Sequence, residues 1–146
     1  MIKLHDRYFK PFISAEEIDY AVQKMADEIA SDLGDEIPVF VGILNGSFML
    51  VSDFVKKYPK PCEVTFIKLA SYEGLKSSED IQRLIGLTQD LTGRTVVILE
   101  DIIDTGKTLH HFLPQLQSQQ LASLKIAVLL NKKEALAYPI KVDYDC

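Results

Sequence analysis

The sequence predicts an α/β domain with a mainly parallel central sheet flanked by helices, on three observations. Apolar β-forming runs alternate with helical patterns along the chain, as βαβ units require. The runs at residues 39–44, 95–99 and 124–130 are apolar without polar alternation, the mark of strands covered on both faces. The chain's 146 residues, 47% hydrophobic and 25% charged, suit one globular domain. A chain of this length buries roughly 68–70% of its unfolded surface, so it needs no disulfide or metal staple.

Ser14 and Glu17 form a capping-box pattern. Ile18, Val22, Met25, Ile29 and Leu33 follow at helical spacing, with Gly34 as the stop. Pro38 opens the strand over residues 39–44, and Asn45-Gly46-Ser47 breaks it. A helix over residues 48–57 ends at Tyr58-Pro59-Lys60-Pro61. Residues 62–70 read as a strand. Residues 71–80 turn polar, with Tyr72, Glu73, Gly74, Ser77 and Ser78, and are expected to be a mobile loop. A further strand is expected over 81–87 and a turn over 91–94. The β-branched run 95–99 is the clearest strand. A helix over about 107–119 contains Pro114, which should end or kink it. Residues 124–130 and 141–146 complete the sheet, while residues 1–10 show no pattern.

Sixteen Lys and Arg against twenty-one Asp and Glu give a net charge of −5. No strongly basic patch for nucleic acid or an anionic membrane surface is expected at that balance. No apolar run approaches the ~20 residues of a membrane span, and the N-terminus has no signal-peptide core. Cys62 and Cys146 are too few for a disulfide framework and lack metal-ligand spacing. A cytoplasmic location is the expectation. A phosphorylated ligand remains compatible with acidity, if held by backbone N–H groups, a few cations or Mg²⁺.

Ligands of open parallel sheets gather beyond the carboxyl ends of the strands. One such end carries Leu44-Asn45-Gly46-Ser47; another carries Glu100-Asp101-Ile102-Ile103-Asp104-Thr105-Gly106-Lys107-Thr108. Glu100 and Asp101, expected where the strand finishes, suit vicinal hydroxyls or a Mg²⁺ ion carrying phosphate. Thr105 to Thr108 open a helix, where Gly106 lets backbone N–H groups approach an anion and the helix dipole favours it. Asp104, between the acids and the cradle, would repel an anion, so its natural task is to accept or hold a proton. A plain cap and turn explains the same residues, and from pattern alone both readings stay open. A Walker A loop does not, because Asp101 stands where that motif needs glycine. His110 and His111 read as ordinary helix residues, Cys62 as core, and Lys56-Lys57 and Lys132-Lys133 as solvated charges.

The run from Val96 to Leu109, Val-Val-Ile-Leu-Glu-Asp-Ile-Ile-Asp-Thr-Gly-Lys-Thr-Leu, resembles the phosphoribosyl-pyrophosphate signature of the type I phosphoribosyltransferases, the hypoxanthine-guanine members in particular. The resemblance covers nearly the whole chain. Leu44-Asn45-Gly46 is similar to the family's pyrophosphate loop, which often holds a non-proline cis peptide, although many members carry Lys where Asn45 stands. Ser71-Tyr72 is similar to the start of its flexible loop. Lys141 is similar to the lysine that reads the purine's exocyclic oxygen. The family's strand runs on past position 146, to a purine-stacking aromatic residue, a further aspartate and an arginine. Residues 1–146 are therefore expected to be one phosphoribosyltransferase domain, shortened in the carboxyl-terminal part of its base-binding hood.

The resemblance implies transfer of the 5-phosphoribosyl group from phosphoribosyl pyrophosphate to a 6-oxopurine, with Mg²⁺. Glu100 and Asp101 would hold ribose hydroxyls and metal. Thr105, Gly106, Lys107 and Thr108 would cradle the 5-phosphate, and Asp104 would be the general base. Lys141 would select hypoxanthine or guanine, and a homodimer or homotetramer is implied. The rival readings are a regulatory phosphoribosyl-pyrophosphate-binding protein and a xanthine-guanine-preferring enzyme.

Overall fold

The computed structural model describes residues 1–71 and 82–146. The chain begins with a feature the sequence pattern did not disclose, a hairpin of β1 (Ile2–Leu4) and β2 (Arg7–Phe9). Its three-residue strands are too short to display a period, and all six of their residues are exposed. α1 (Ala15–Leu33) starts as its capping box requires. Glu17 N–H donates to Ser14 Oγ at 3.1 Å, and Ser14 N–H donates to Glu17 Oε2 at 2.7 Å. Val22, Met25, Ile29 and Leu33 are buried, whereas Ile18, a turn earlier, stays at the surface.

β3 (Val39–Leu44) runs through the middle of the sheet and leads, by a cis Leu44–Asn45 peptide and Gly46-Ser47, into α2 (Phe48–Lys57). β4 (Glu63–Ser71) pairs parallel to β3, and β5 (Gln82–Ile85) returns antiparallel on its outer edge. β6 (Thr95–Ile103) lies on the other side of β3. α3 (Lys107–Gln117) then leads to β7 (Ser123–Asn131), a 3₁₀ turn at Lys133–Ala135, and the short β8 (Tyr144–Asp145). Among the described residues the main sheet has the order β5-β4-β3-β6-β7-β8, parallel except for β5.

The two faces explain the unbroken apolar strands. Phe40, Val97, Leu99 and Ala127 pack with α1 and α2 on one face. Val39, Val41, Val96, Ile98, Ile126 and Val128 pack with Leu109, Phe112 and Leu116 of α3 on the other. Alternate side chains thus enter two separate cores.

Two expectations change. β6 does not finish at Leu99 or Glu100 but continues through Ile103, because β7 offers ladder partners as far as Asn131. α3 keeps Pro114 inside it and continues to Gln117, within the expected span. The last strand spans two residues instead of six, since Asp143 Oδ2 accepts from Ile126 N–H at 2.9 Å in place of a ladder carbonyl. The expected mobile loop, Tyr72 included, lies outside the described residues, while Ser71 closes β4 opposite Gln82.

Candidate active site

β3 and β6 are neighbours, with Gly42 opposite Leu99, so the segments that follow them meet at the carboxyl edge of the sheet. There they enclose a cleft of about 280 Å³ lined by Ile43, Leu44, Gly46 and every residue from Glu100 to Leu109. The structure therefore brings together the acids, the threonine-glycine cradle and the short loop. Asn45, between two lining residues, is exposed and does not line the cleft.

Gly46 lies against the Asp101 carboxylate. A Cβ there would stand 2.8 Å from Asp101 Oδ1 and 2.9 Å from Oδ2, so any other residue would displace that carboxylate. Ser47 anchors the loop behind it, its buried hydroxyl donating to the Ile43 carbonyl at 2.8 Å.

Glu100 and Asp101 lie inside β6 rather than beyond it. Glu100 is 8% exposed. Burial, with Asp101 beside it, pushes the Glu100 carboxyl up to about 9. Two carboxylates at a low-dielectric edge cannot both ionise easily without a compensating cation. That chemistry, at the wall of the cleft that both residues line, fits Mg²⁺. Magnesium is usually held by one or two carboxylates and completed by water and substrate phosphate. Among the described residues, no group of three or more His, Cys, Asp or Glu forms a complete protein-only metal site.

Gly106 adopts φ +81° ahead of α3, a left-handed conformation that favours glycine. Its placement aims the first turn of α3 at the cleft, and His110 N–H closes the first helical bond on the Gly106 carbonyl at 2.9 Å. N–H groups of a first helical turn lack intrahelical partners and favour anions. Thr105, Lys107 and Thr108 are exposed at the cleft.

Asp104 faces a cation that the sequence reading assigned to bulk surface. Lys132 Nζ lies 3.4 Å from Asp104 Oδ1. Lys132 follows Asn131, the ladder partner of Ile103, and its N–H donates to the Ile103 carbonyl at 3.0 Å. Residues one step past adjacent parallel strands share an edge, and that signal could have found it. Lys141 is not brought to the cleft. Its side chain is 89% exposed and its Nζ lies 3.5 Å from Asp143 Oδ1, because Asp143 is bonded beside Ile126.

A mainly parallel sheet whose carboxyl edge holds a cleft lined by an acid pair and a helix start is the arrangement of an α/β protein that takes its ligand beyond the strand ends. Residues 14–146 match the phosphoribosyl transferase domain model, and the chain belongs to that family. It is 36% identical over 138 residues to the hypoxanthine-guanine phosphoribosyltransferase of Streptococcus pneumoniae (strain ATCC BAA-255 / R6), covering 94% of this chain and 77% of that protein. Among solved structures, a hypoxanthine-guanine phosphoribosyltransferase from Bacillus anthracis superposes with TM-score 0.86 at 27% identity, covering 95% of this chain and 82% of that one. A hypoxanthine phosphoribosyltransferase from Staphylococcus aureus superposes with TM-score 0.84 at 30% identity, covering 93% and 74%.

Proposed function

We propose that this chain is a purine-salvage transferase. It moves the 5-phosphoribosyl group of phosphoribosyl pyrophosphate to hypoxanthine or guanine and releases pyrophosphate. The observation that carries the reading is the Asp104–Lys132 pair at the mouth of the acid-lined cleft. A 6-oxopurine presents its imidazole nitrogen N7 and its O6 side by side on one edge. A carboxylate and an ammonium 3.4 Å apart match an N–H donor and a carbonyl acceptor so placed.

The 5-phosphate sits on the N–H groups and hydroxyls of residues 105–108. Glu100 and Asp101 hold the ribose hydroxyls, and the same two carboxylates would hold Mg²⁺. When bound, Mg²⁺ supplies charge stabilisation for the departing pyrophosphate. Leu44 and Gly46 wall the pyrophosphate side. Asp104 takes the proton from N7, the N9 lone pair attacks the anomeric carbon, and the carbon–oxygen bond to pyrophosphate breaks. Lys132, in the place expected of Lys141, donates to O6. Adenine would put an amino donor against that ammonium, leaving both unpaired, and such mismatches discriminate strongly.

A homodimer or homotetramer belongs to the same reading, supported by exposed Phe48 and Met49 at the start of α2, as does a cytoplasmic location. Among the described residues no helix is long and apolar enough to cross a membrane.

The test is incubation with phosphoribosyl pyrophosphate, Mg²⁺ and each purine base, following nucleotide and pyrophosphate. Conversion of hypoxanthine and guanine but not adenine is expected. Binding of phosphoribosyl pyrophosphate without turnover of any base would instead point to the regulatory protein.

A further inference from the structure

The cradle of residues 105–108 does not stand on its own helix alone. The segment after the 3₁₀ turn folds back over it. Ala137 and Tyr138 N–H groups both donate to the Thr105 carbonyl, at 3.0 and 3.1 Å. A Cβ on Gly106 would stand 2.9 Å from Ile140 Cγ1 and 3.3 Å from both Leu136 Cδ2 and the Tyr138 carbonyl oxygen. The left-handed glycine is thus covered on its outer side.

Tyr138 is the residue of this segment that also grips the helix. Its ring centroid lies 5.0 Å from that of His110 and 5.9 Å from that of His111. His111 is itself tied down, its Nδ1 2.9 Å from the Lys107 carbonyl. One residue therefore bridges two points, its backbone N–H on Thr105 just before the helix and its ring on His110–His111 one turn inside it. Between those points lie the N–H groups that would meet a phosphate.

We propose that Tyr138 is a positioning residue for the 5-phosphate, holding the Thr105–Gly106 turn in register with the first turn of α3. It touches no substrate; its ring, packed on the histidine rings, holds in place the backbone N–H that meets the Thr105 carbonyl. The inference rests on the transferase reading, because that reading puts the phosphate at this cradle. Anion affinity at a helix start depends on convergent N–H groups, and small misplacements of such a site are costly.

The experiment compares GMP with guanosine as calorimetric ligands for the whole chain and for Tyr138→Ala, Tyr138→Phe and His110→Ala. Tyr138→Ala should weaken GMP roughly tenfold or more, with guanosine affinity unchanged. Tyr138→Phe, which keeps the ring, should stay within about twofold of the parent on the same argument. His110→Ala removes the opposing ring and should shift GMP in the same direction, which keeps the test available if Tyr138→Ala does not fold. In turnover, KM for phosphoribosyl pyrophosphate should rise while kcat holds. Equal losses for GMP and guanosine, or no loss for GMP in either alanine variant, would overturn the role of Tyr138 and leave the transferase reading standing. Failure of the unaltered chain to bind GMP would overturn both.

Discussion

Lys132 Nζ stands 3.4 Å from Asp104 Oδ1 at the carboxyl edge of the sheet, with 54% and 59% of the two side chains exposed. An ion pair so open adds little stability, about 0–1 kcal/mol, so a ligand can rearrange it at small cost. Asp104→Asn keeps the shape and loses the proton acceptor. Its kcat should fall by roughly 10²–10⁴-fold, the usual share of a positioned base, with little change in melting temperature. Full turnover by that variant would remove Asp104 from the proton step.

Base selection separates the two lysines. Lys132 shares the edge with Asp104, whereas Lys141 pairs with Asp143 and points into solvent. Lys132→Ala should lower kcat/KM for guanine and hypoxanthine by roughly 10–100-fold, since a lost hydrogen bond involving a charged group is worth about 1.5–3 kcal/mol. Lys141→Ala should leave it within about twofold, as expected for a surface change. Steady-state kinetics on the two variants reads the contrast directly, and the reverse ranking would return base recognition to Lys141.

Much of this arrangement was legible before the structure. The capping box of Ser14 and Glu17, the β-branched start of β6 and the run from Glu100 to Thr108 are local patterns, and the structure keeps them together. What escaped depended on register between distant segments. Lys132 reaches Asp104 only because Asn131 lies opposite Ile103 in the ladder. Lys141 misses because Asp143, two residues on, is bonded beside Ile126. A lone lysine carries no mark of its strand's neighbour. The continuation of β6 to Ile103 was hidden for the same reason, since it depends on the ladder partners that β7 supplies as far as Asn131.

Gly46 offers a test of the metal reading that leaves the acids intact. An alanine Cβ would enter within 3 Å of both Asp101 carboxylate oxygens, so the carboxylate or the loop must shift. Gly46→Ala should raise the Mg²⁺ concentration needed for half-maximal turnover by roughly tenfold or more, given how steeply positioned sites respond to displacement. Unfolding midpoints should move little, because the loop is exposed at Gly46. An unchanged Mg²⁺ requirement would show that Asp101 is not where the cation binds.

A second cluster, remote from the cleft, ties three titratable groups to the fold. Tyr144 in β8 donates its hydroxyl to Asp32 Oδ2 near the end of α1, and Lys125 Nζ meets the same oxygen at 2.7 Å. Burial, then the Asp32 bond, pushes the Tyr144 hydroxyl up to about 12, against about 10 for an unfolded tyrosine. A group held protonated by folding contributes fully below its unfolded pKa and loses that contribution as pH rises through the folded one. Lys125, raised chiefly by its bond to Asp32, acts in the same direction. Asp32 is the opposite case. Lys125 first and Tyr144 second lower its carboxyl, so its contribution is present above the unfolded value and is lost as pH falls through the folded one. The cluster's own contribution, read as the difference between parent and variants in denaturant unfolding across pH, should therefore decline between about pH 10 and 12 and again in acid below about pH 4. Tyr144→Phe should flatten the alkaline decline while leaving an acid limb carried by Asp32 and Lys125. Asp32→Asn should flatten the acid limb and weaken the alkaline one as well, because it removes the partner that raises both other groups. An alkaline slope unchanged by Tyr144→Phe would dissociate the cluster from that decline.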